Sequence, residues 1–343
     1  MNHIIRTHLA SRFLLGVIMT ITAGTAGAAA REEHFRIPGY PASVRVFLRH
    51  QPPAGAPVRS KGSVLFVHGA SFPSALAAAF KFDGHSWMDD LSEAGFDVWA
   101  LDFAGYGESD RYPEMSQPAT ANRPLGRTDV ASKQIARAVT FICERQKTSR
   151  VSIIAHSWGT LPAGLYATQE PGRIERLVLF GPLTLRNETG PSKSEAETAY
   201  RYVTEEAQHA RFYGYVPSDQ APVMENRHFD VWGPAYLSSD PTSSTRTPRS
   251  VKVPAGPLAD ADEAWAGKFL YDPAKIEAPT LIIRGEWDIV TRNDDAHWLY
   301  QALRSARIKR DVLISRGTHV MHLERSRFQL YREVQTFLEA NDQ

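Results

Sequence analysis

Short apolar runs separated by helical spacings make up most of the chain from residue 63 onward. Ser63–Val67, Phe96–Leu101, Val151–Ala155, Leu177–Phe180, Pro279–Arg284 and Asp311–Ile314 each read as a strand, and most are apolar at successive rather than alternate positions. Runs of that kind suit a sheet whose two faces are both covered. Helical spacings lie between them. One covers 84–94, with Ser86 placed as its cap and Gly95 as its stop; others cover 127–145, 294–303 and 322–340. In 127–145, Ile135, Val139 and Ile142 share one side. Strand and helix in alternation predict an α/β fold with a mostly parallel central sheet and helices on both faces. Ahead of this, His34–Ile37 and Val44–Arg49 read as two strands around the turn at Pro38-Gly39, and 51–62 is a proline- and glycine-containing connection.

The rhythm breaks near Gly181-Pro182. From 183 to 270 no run reads as a buried strand: 194–211 is helical in pattern, and 238–257 is polar, proline-rich and read as irregular. We therefore expect an inserted, mainly helical cap over 183–270, and a core formed by 31–182 together with 271–343.

The first thirty residues read as an export leader, apart from the fold. Arg6 and Arg12 give a positive start, Phe13–Ile21 a short apolar run, and 23–30 are almost all small. Both Ala26-Gly27-Ala28 and Ala28-Ala29-Ala30 satisfy a small-x-small cleavage pattern. The apolar run is short for a bilayer span, so the expectation is a periplasmic or secreted mature protein; an uncleaved anchor is the alternative.

Composition narrows the function without naming it. Hydrophobic residues at 43% and charged residues at 22% are ordinary for a globular enzyme. Lys+Arg 39 against Asp+Glu 38, a formal net charge of +1, gives no reason to expect a nucleic-acid or membrane partner for the mature form. The one cysteine, Cys143, excludes an intramolecular disulfide and any cysteine-based metal cluster within the chain.

The chemistry centres on Val151–Thr160. Ser157 follows the strand, with Ala155 two residues before it and Gly159 two after, the pattern of a nucleophile elbow with alanine at the first small position. A sharp strand-to-helix turn needs small residues there, because side chains would collide across it. The same turn lifts the serine hydroxyl above the sheet edge and aims the Trp158 amide at the space where an oxyanion forms. A nucleophilic serine also needs a base and an orienting acid. Asp288 lies in Arg284-Gly285-Glu286-Trp287-Asp288 and His319 in Gly317-Thr318-His319, each after a late strand, where open parallel sheets place their sites. Glu286 and His322 are the nearest rivals to these two.

Together with His68-Gly69 after an early strand and the Asp102–Ser109 segment of form D-x-x-G-x-G-x-S, these motifs resemble the α/β-hydrolase superfamily, over nearly all of the chain outside the leader and the cap. The resemblance implies Ser157 as nucleophile, His319 as base, Asp288 as its partner, and an oxyanion hole from the amides of Ala70 and Trp158. It also implies that no cofactor and no metal is used. His68 takes a structural role in such proteins, Asp102–Ser109 reads as a structural turn, and His156 is expected to pack inward. His322 is expected to start the last helix beside Glu324. Ser71 and Phe72 from the core, with Trp232 and Trp265 from the cap, are candidate pocket residues. The cap's aromatics read mainly as its own small core, some of them roofing an apolar substrate.

Within the superfamily, a serine at the elbow argues against epoxide hydrolases and haloalkane dehalogenases, which use aspartate. The expected activity is hydrolysis of a small carboxylic ester or lactone through an acyl-enzyme. An amidase or aminopeptidase like the proline iminopeptidases is the alternative: Ser157-Trp158-Gly159 resembles that elbow, but His68-Gly69-Ala70-Ser71-Phe72-Pro73 departs from its H-G-G-P-G loop. A non-catalytic binding protein would ordinarily have lost one of the three residue types. The sequence says nothing of oligomeric state.

Overall fold

The computed structural model describes residues 32–55, 60–188 and 197–341, so the expected leader lies outside the described residues. An eight-stranded sheet forms the centre. Its first half contains β1 (Glu33–Pro38), β2 (Arg45–Gln51), β3 (Ser63–Val67), α1 (Trp87–Glu93), β4 (Asp97–Asp102), α2 (Thr128–Gln146), β5 (Val151–His156), α3 (Thr160–Gln169) and β6 (Ile174–Phe180). A second group follows: β7 (Tyr200–Thr204), α4 (Glu205–Gly214), α5 (Asn226–Ser238), β8 (Ser250–Pro254) and α6 (Gly256–Trp265). The chain then returns through β9 (Thr280–Gly285), α7 (Asn293–Ala302), β10 (Lys309–Ile314) and α8 (Arg327–Glu339).

The strand order is β1-β2-β4-β3-β5-β6-β9-β10. The first two pairings are antiparallel, and all from β4 to β10 are parallel. Every residue of β3, β4, β5 and β9 is buried, which is why these strands read as continuous runs rather than alternations. Parallel strands all end on one edge, so the loops after β3, β5, β9 and β10 converge there. α1 begins at Trp87 because Ser86 caps it: its hydroxyl accepts from the Asp89 amide at 3.1 Å, and Asp89 accepts from the Ser86 amide at 2.9 Å.

Two expectations fail. Tyr200–Thr204 is a strand, not part of a helix beginning near 194, and Ser250–Pro254 is its antiparallel partner in a stretch read as irregular. Each strand has aromatic or β-branched residues, but its pairing partner lies about fifty residues away, so no local pattern announces the pair. The last helix also begins later than His322. Residues Met321–Leu323 form one tight turn, Glu324 is extended, and α8 starts at Arg327. Among the described residues no helix is long and apolar enough to cross a membrane.

Candidate active site

Ser157 sits at the β5–α3 junction with φ of +56°, in the left-handed region that a side chain adopts at a cost of about 1–3 kcal/mol. The strain persists because the turn is boxed in. A Cβ on Gly159 would come within 2.4 Å of the His68 carbonyl oxygen, and one on Gly69 within 3.0 Å of Ser157 Cβ. The loop after β3, which carries Ala70, therefore lies directly against the elbow at Gly69. The Ala70 amide has no hydrogen-bond acceptor among the described residues.

The loops after β9 and β10 approach just as closely. A Cβ on Gly285 would fall 2.0 Å from the Gly317 carbonyl oxygen, so the glycines of both motifs answer to a backbone crossing. That crossing sets Asp288 against His319. His319 Nδ1 lies 3.1 and 3.0 Å from the two carboxylate oxygens of Asp288, and its Nε2 lies 2.7 Å from Ser157 Oγ. With Nδ1–H donated to Asp288, Nε2 is left as the acceptor for the serine proton. Asp288 is itself oriented, since Oδ1 accepts from the amides of Val290 (2.8 Å) and Thr291 (2.9 Å). Its rival Glu286 is exposed and accepts from the Arg316 amide at 3.0 Å. The three aligned side chains are buried; Ser157 is 8% and His319 1% exposed.

The other histidines sort differently. His68 donates from Nδ1 to the Gly69 carbonyl (2.7 Å) and accepts from the Phe103 amide at Nε2 (3.1 Å), tying the loop after β3 to the end of β4. Burial lowers its pKa, so this neutral tautomer is retained. His156 packs inward and donates from Nε2 to the His319 carbonyl at 2.9 Å, bracing the backbone of the opposite loop. Burial holds it well below the ordinary imidazole range. His322 is not beside Glu324 as a partner. Both of its ring nitrogens lack one; it packs on His156 (4.6 Å between ring centroids) and Phe180 (5.4 Å), and burial lowers its pKa to about 3. Glu324 instead accepts from the Thr318 amide (3.0 Å) and hydroxyl, the residue before His319, and burial raises its pKa to about 7. The Asp102–Ser109 turn is structural: Asp102 accepts from Ser74 N (2.8 Å), Ser74 Oγ (2.6 Å) and Glu108 N (3.1 Å).

The segment between β6 and β9 touches the site at several points. Arg211 of α4 donates to Ser71 Oγ at 2.7 Å, Tyr215 lies 6.5 Å from His319 between ring centroids, and the Trp232 indole donates to the Leu76 carbonyl at 2.9 Å. Phe72 inserts among Trp232 (5.2 Å) and Phe212 (6.2 Å). Ser71, Phe72 and Trp232 are thus brought together, with Trp232 fully buried in the aromatic cluster. Trp265 packs instead under the Arg186 guanidinium, 4.8 Å from its ring centroid.

Asp260 is the residue the sequence reading missed. From α6 its carboxylate accepts from the Trp158 indole (2.9 Å), the Thr128 amide and hydroxyl (2.8 Å each) and Arg127 Nε. It therefore caps the N-terminus of α2 and fastens the residue after Ser157 in one contact. An aspartate in a helix more than a hundred residues downstream gives no sequence signal for that. Among the described residues no group of three or more His, Cys, Asp or Glu is arranged to hold a metal ion.

No curated protein matches the sequence. The fold is similar to that of 2-hydroxy-6-oxo-6-phenylhexa-2,4-dienoate hydrolase from a Rhodococcus species, at 17% identity and a TM-score of 0.63, covering 91% of this chain and 100% of that one. It is also similar to an epoxide hydrolase from Vigna radiata (13% identity, TM-score 0.61, 90% of this chain and 98% of that one). A bromoperoxidase from Bacillus anthracis is comparable (14% identity, TM-score 0.60, 90% and 100%). Residues 62–326 match the profile of the alpha/beta hydrolase fold, so the chain belongs to the α/β-hydrolase family and is, at that level, a hydrolase.

Proposed function

We propose that the protein hydrolyses a small carboxylic ester or lactone through an acyl-enzyme on Ser157. The observation that carries this reading is the unbroken line from Asp288 through His319 to Ser157 Oγ, with the Nε2–Oγ separation of 2.7 Å at its reacting end. Ser157 Oγ attacks the ester carbonyl carbon while its proton passes to His319 Nε2. In this reading the carbonyl oxygen takes the negative charge against the amides of Ala70 and Trp158, on the two loops that meet at Gly69 and Ser157. Collapse breaks the carbonyl–alkoxy bond, and His319 returns the proton to the departing alkoxide. Water then repeats the sequence on the acyl group, freeing the carboxylic acid and restoring the serine. Asp288 keeps the imidazole in the tautomer that accepts at Nε2 and favours its cationic form during both steps.

The segment over 183–270 acts as a cap in this reading, and Ser71, Phe72 and Trp232 line its contact with the core. Ser157→Ala should lower kcat on a panel of nitrophenyl esters and lactones by about 10⁴- to 10⁶-fold. A mutant that keeps near-wild-type turnover contradicts the reading. Export is part of the proposal too: N-terminal sequencing of protein from its host should begin near Ala29 or Arg31, and soluble protein retaining Met1 would refute it.

A further inference from the structure

Positive charge gathers without a matching acid where α4 meets the loop after β3. Arg211 is half-buried there. Its Nη1 donates to Ser71 Oγ (2.7 Å) and to Gln208 Oε1 (3.2 Å), and its Nε reaches Tyr215 OH at 3.4 Å. Every one of these partners is neutral, and Nη2 has no hydrogen-bond acceptor among the described residues. Arg201 of β7 is half-buried nearby, with its Nε buried and unpartnered. The charges of both arginines reach the Tyr236 hydroxyl, and that of Arg201 reaches Tyr106, whose hydroxyl donates to the Ala70 carbonyl at 2.9 Å.

No described carboxylate forms an ion pair with either arginine. The acid that also reaches Tyr236, Asp240, is engaged by Arg246 (2.9 Å) and by the amides of Thr242 (2.9 Å) and Lys252 (2.8 Å). Other arginines in the same segment contrast with this pair: Arg186 holds Asp295, Arg227 holds Asp83 and Glu225, and Arg246 holds Asp240. With a formal net charge of +1 for the whole chain, the imbalance is local rather than general.

Fastening the segment to Ser71 would not need a charge, because a neutral donor makes that bond without the desolvation cost of a guanidinium. A guanidinium with an unused edge suits a planar anion, which it can bind through two parallel hydrogen bonds. Ser71 follows Ala70 directly, so an anion held by Arg211 lies within a short chain of the carbonyl that Ser157 attacks. We propose that Arg211, assisted by Arg201, recognises a free carboxylate on the substrate, so that the preferred esters are monoesters of dicarboxylic acids. This rests on the ester-hydrolase reading for the position of the reacting carbonyl.

Two measurements test it. The first compares the 4-nitrophenyl monoester of adipic acid with its uncharged methyl ester counterpart. Wild-type protein should favour the charged ester in kcat/KM, and Arg211→Gln should reduce that preference by about 10- to 100-fold. Arg211→Lys, which keeps the charge but not the fork, should fall between the two, and it serves if the glutamine variant does not fold. The second is calorimetric binding of adipate and adipamide to Ser157→Ala, where no turnover occurs. Adipate should bind more tightly, and Arg211→Gln in that background should remove the difference. Turnover of both esters with a preference unchanged in Arg211→Gln overturns the inference and leaves the hydrolase reading intact. Absence of turnover, with adipate binding still dependent on Arg211, overturns the hydrolase reading and leaves the carboxylate subsite standing. Tighter binding of inorganic phosphate than of adipate would overturn the carboxylate assignment.

Discussion

Two groups of residues face each other across Ser157, and different forces hold them. The loops after β3, β5, β9 and β10 are placed by backbone: a strained φ at Ser157, and glycines that let main chain pass main chain at Gly159 and Gly285. The segment between β6 and β9 is placed by side chains: Asp260 on Trp158 and α2, Trp232 on Leu76, and Arg211 on Ser71. Backbone placement fixes reacting atoms to within a fraction of an ångström, as the chemistry needs. A few side-chain bonds can break and re-form, which suits the cap role proposed for this segment over a serine only 8% exposed.

Perturbing each group should separate the two. The largest effect belongs to the loop side. Asp288→Asn should cost about 10⁴-fold in kcat with little change in KM, because it disfavours the tautomer that accepts at Nε2. Glu286→Gln, on an exposed carboxylate, should be nearly silent; steady-state kinetics showing the reverse would move the acid to Glu286. On the other side, Asp260→Ala removes Arg127's buried partner, leaving it Glu263 at 2.8 Å, and uncaps the N-terminus of α2. Chemical denaturation should show a loss of about 1–3 kcal/mol, and an unchanged midpoint would mean that this anchor carries no stability.

Effects of similar size appear as pH dependence beneath the loops. Glu324 has a folded pKa of about 7, above the unfolded carboxyl value, so its contribution is fully present below the unfolded pKa and is lost as pH rises through about 7. The loss amounts to about 3 kcal/mol, and Glu324→Gln should flatten it. His322 works in the opposite direction. Its pKa is lowered to about 3, so stability is full above the unfolded imidazole value and falls as pH drops below it. His322→Phe should therefore stabilise the protein by about 2 kcal/mol at pH ~5 relative to its effect at pH ~8. Unfolding curves for both variants across pH 4–8 check the two signs together, and parallel shifts at every pH would contradict both.

What could be read from the sequence follows the same division. Ser157, Asp288 and His319 sit at strand ends with glycines whose spacing reflects local backbone geometry, so their convergence was legible before any coordinates. Ser86 was legible as a helix cap for the same reason. Asp260, Arg211 and the β7–β8 pair were not, because each acts on a partner about fifty or more residues away and its own surroundings look ordinary. The inward packing of His156 is legible in the sequence, but its bond to the His319 carbonyl depends on how two loops meet. Proximity in sequence sets Glu324 beside His322 at the start of a helix, whereas the turn at Met321–Leu323 returns it to Thr318.

The proposed chemistry requires that Ser157 carry the acyl group. Rapid mixing with an activated ester, acid quenching and peptide mass analysis would read this directly. We predict one acyl group per chain on the peptide containing Ser157, formed and lost at rates consistent with turnover and absent from Ser157→Ala. An acyl group on any other residue, or turnover by Ser157→Ala at near the wild-type rate, would contradict it.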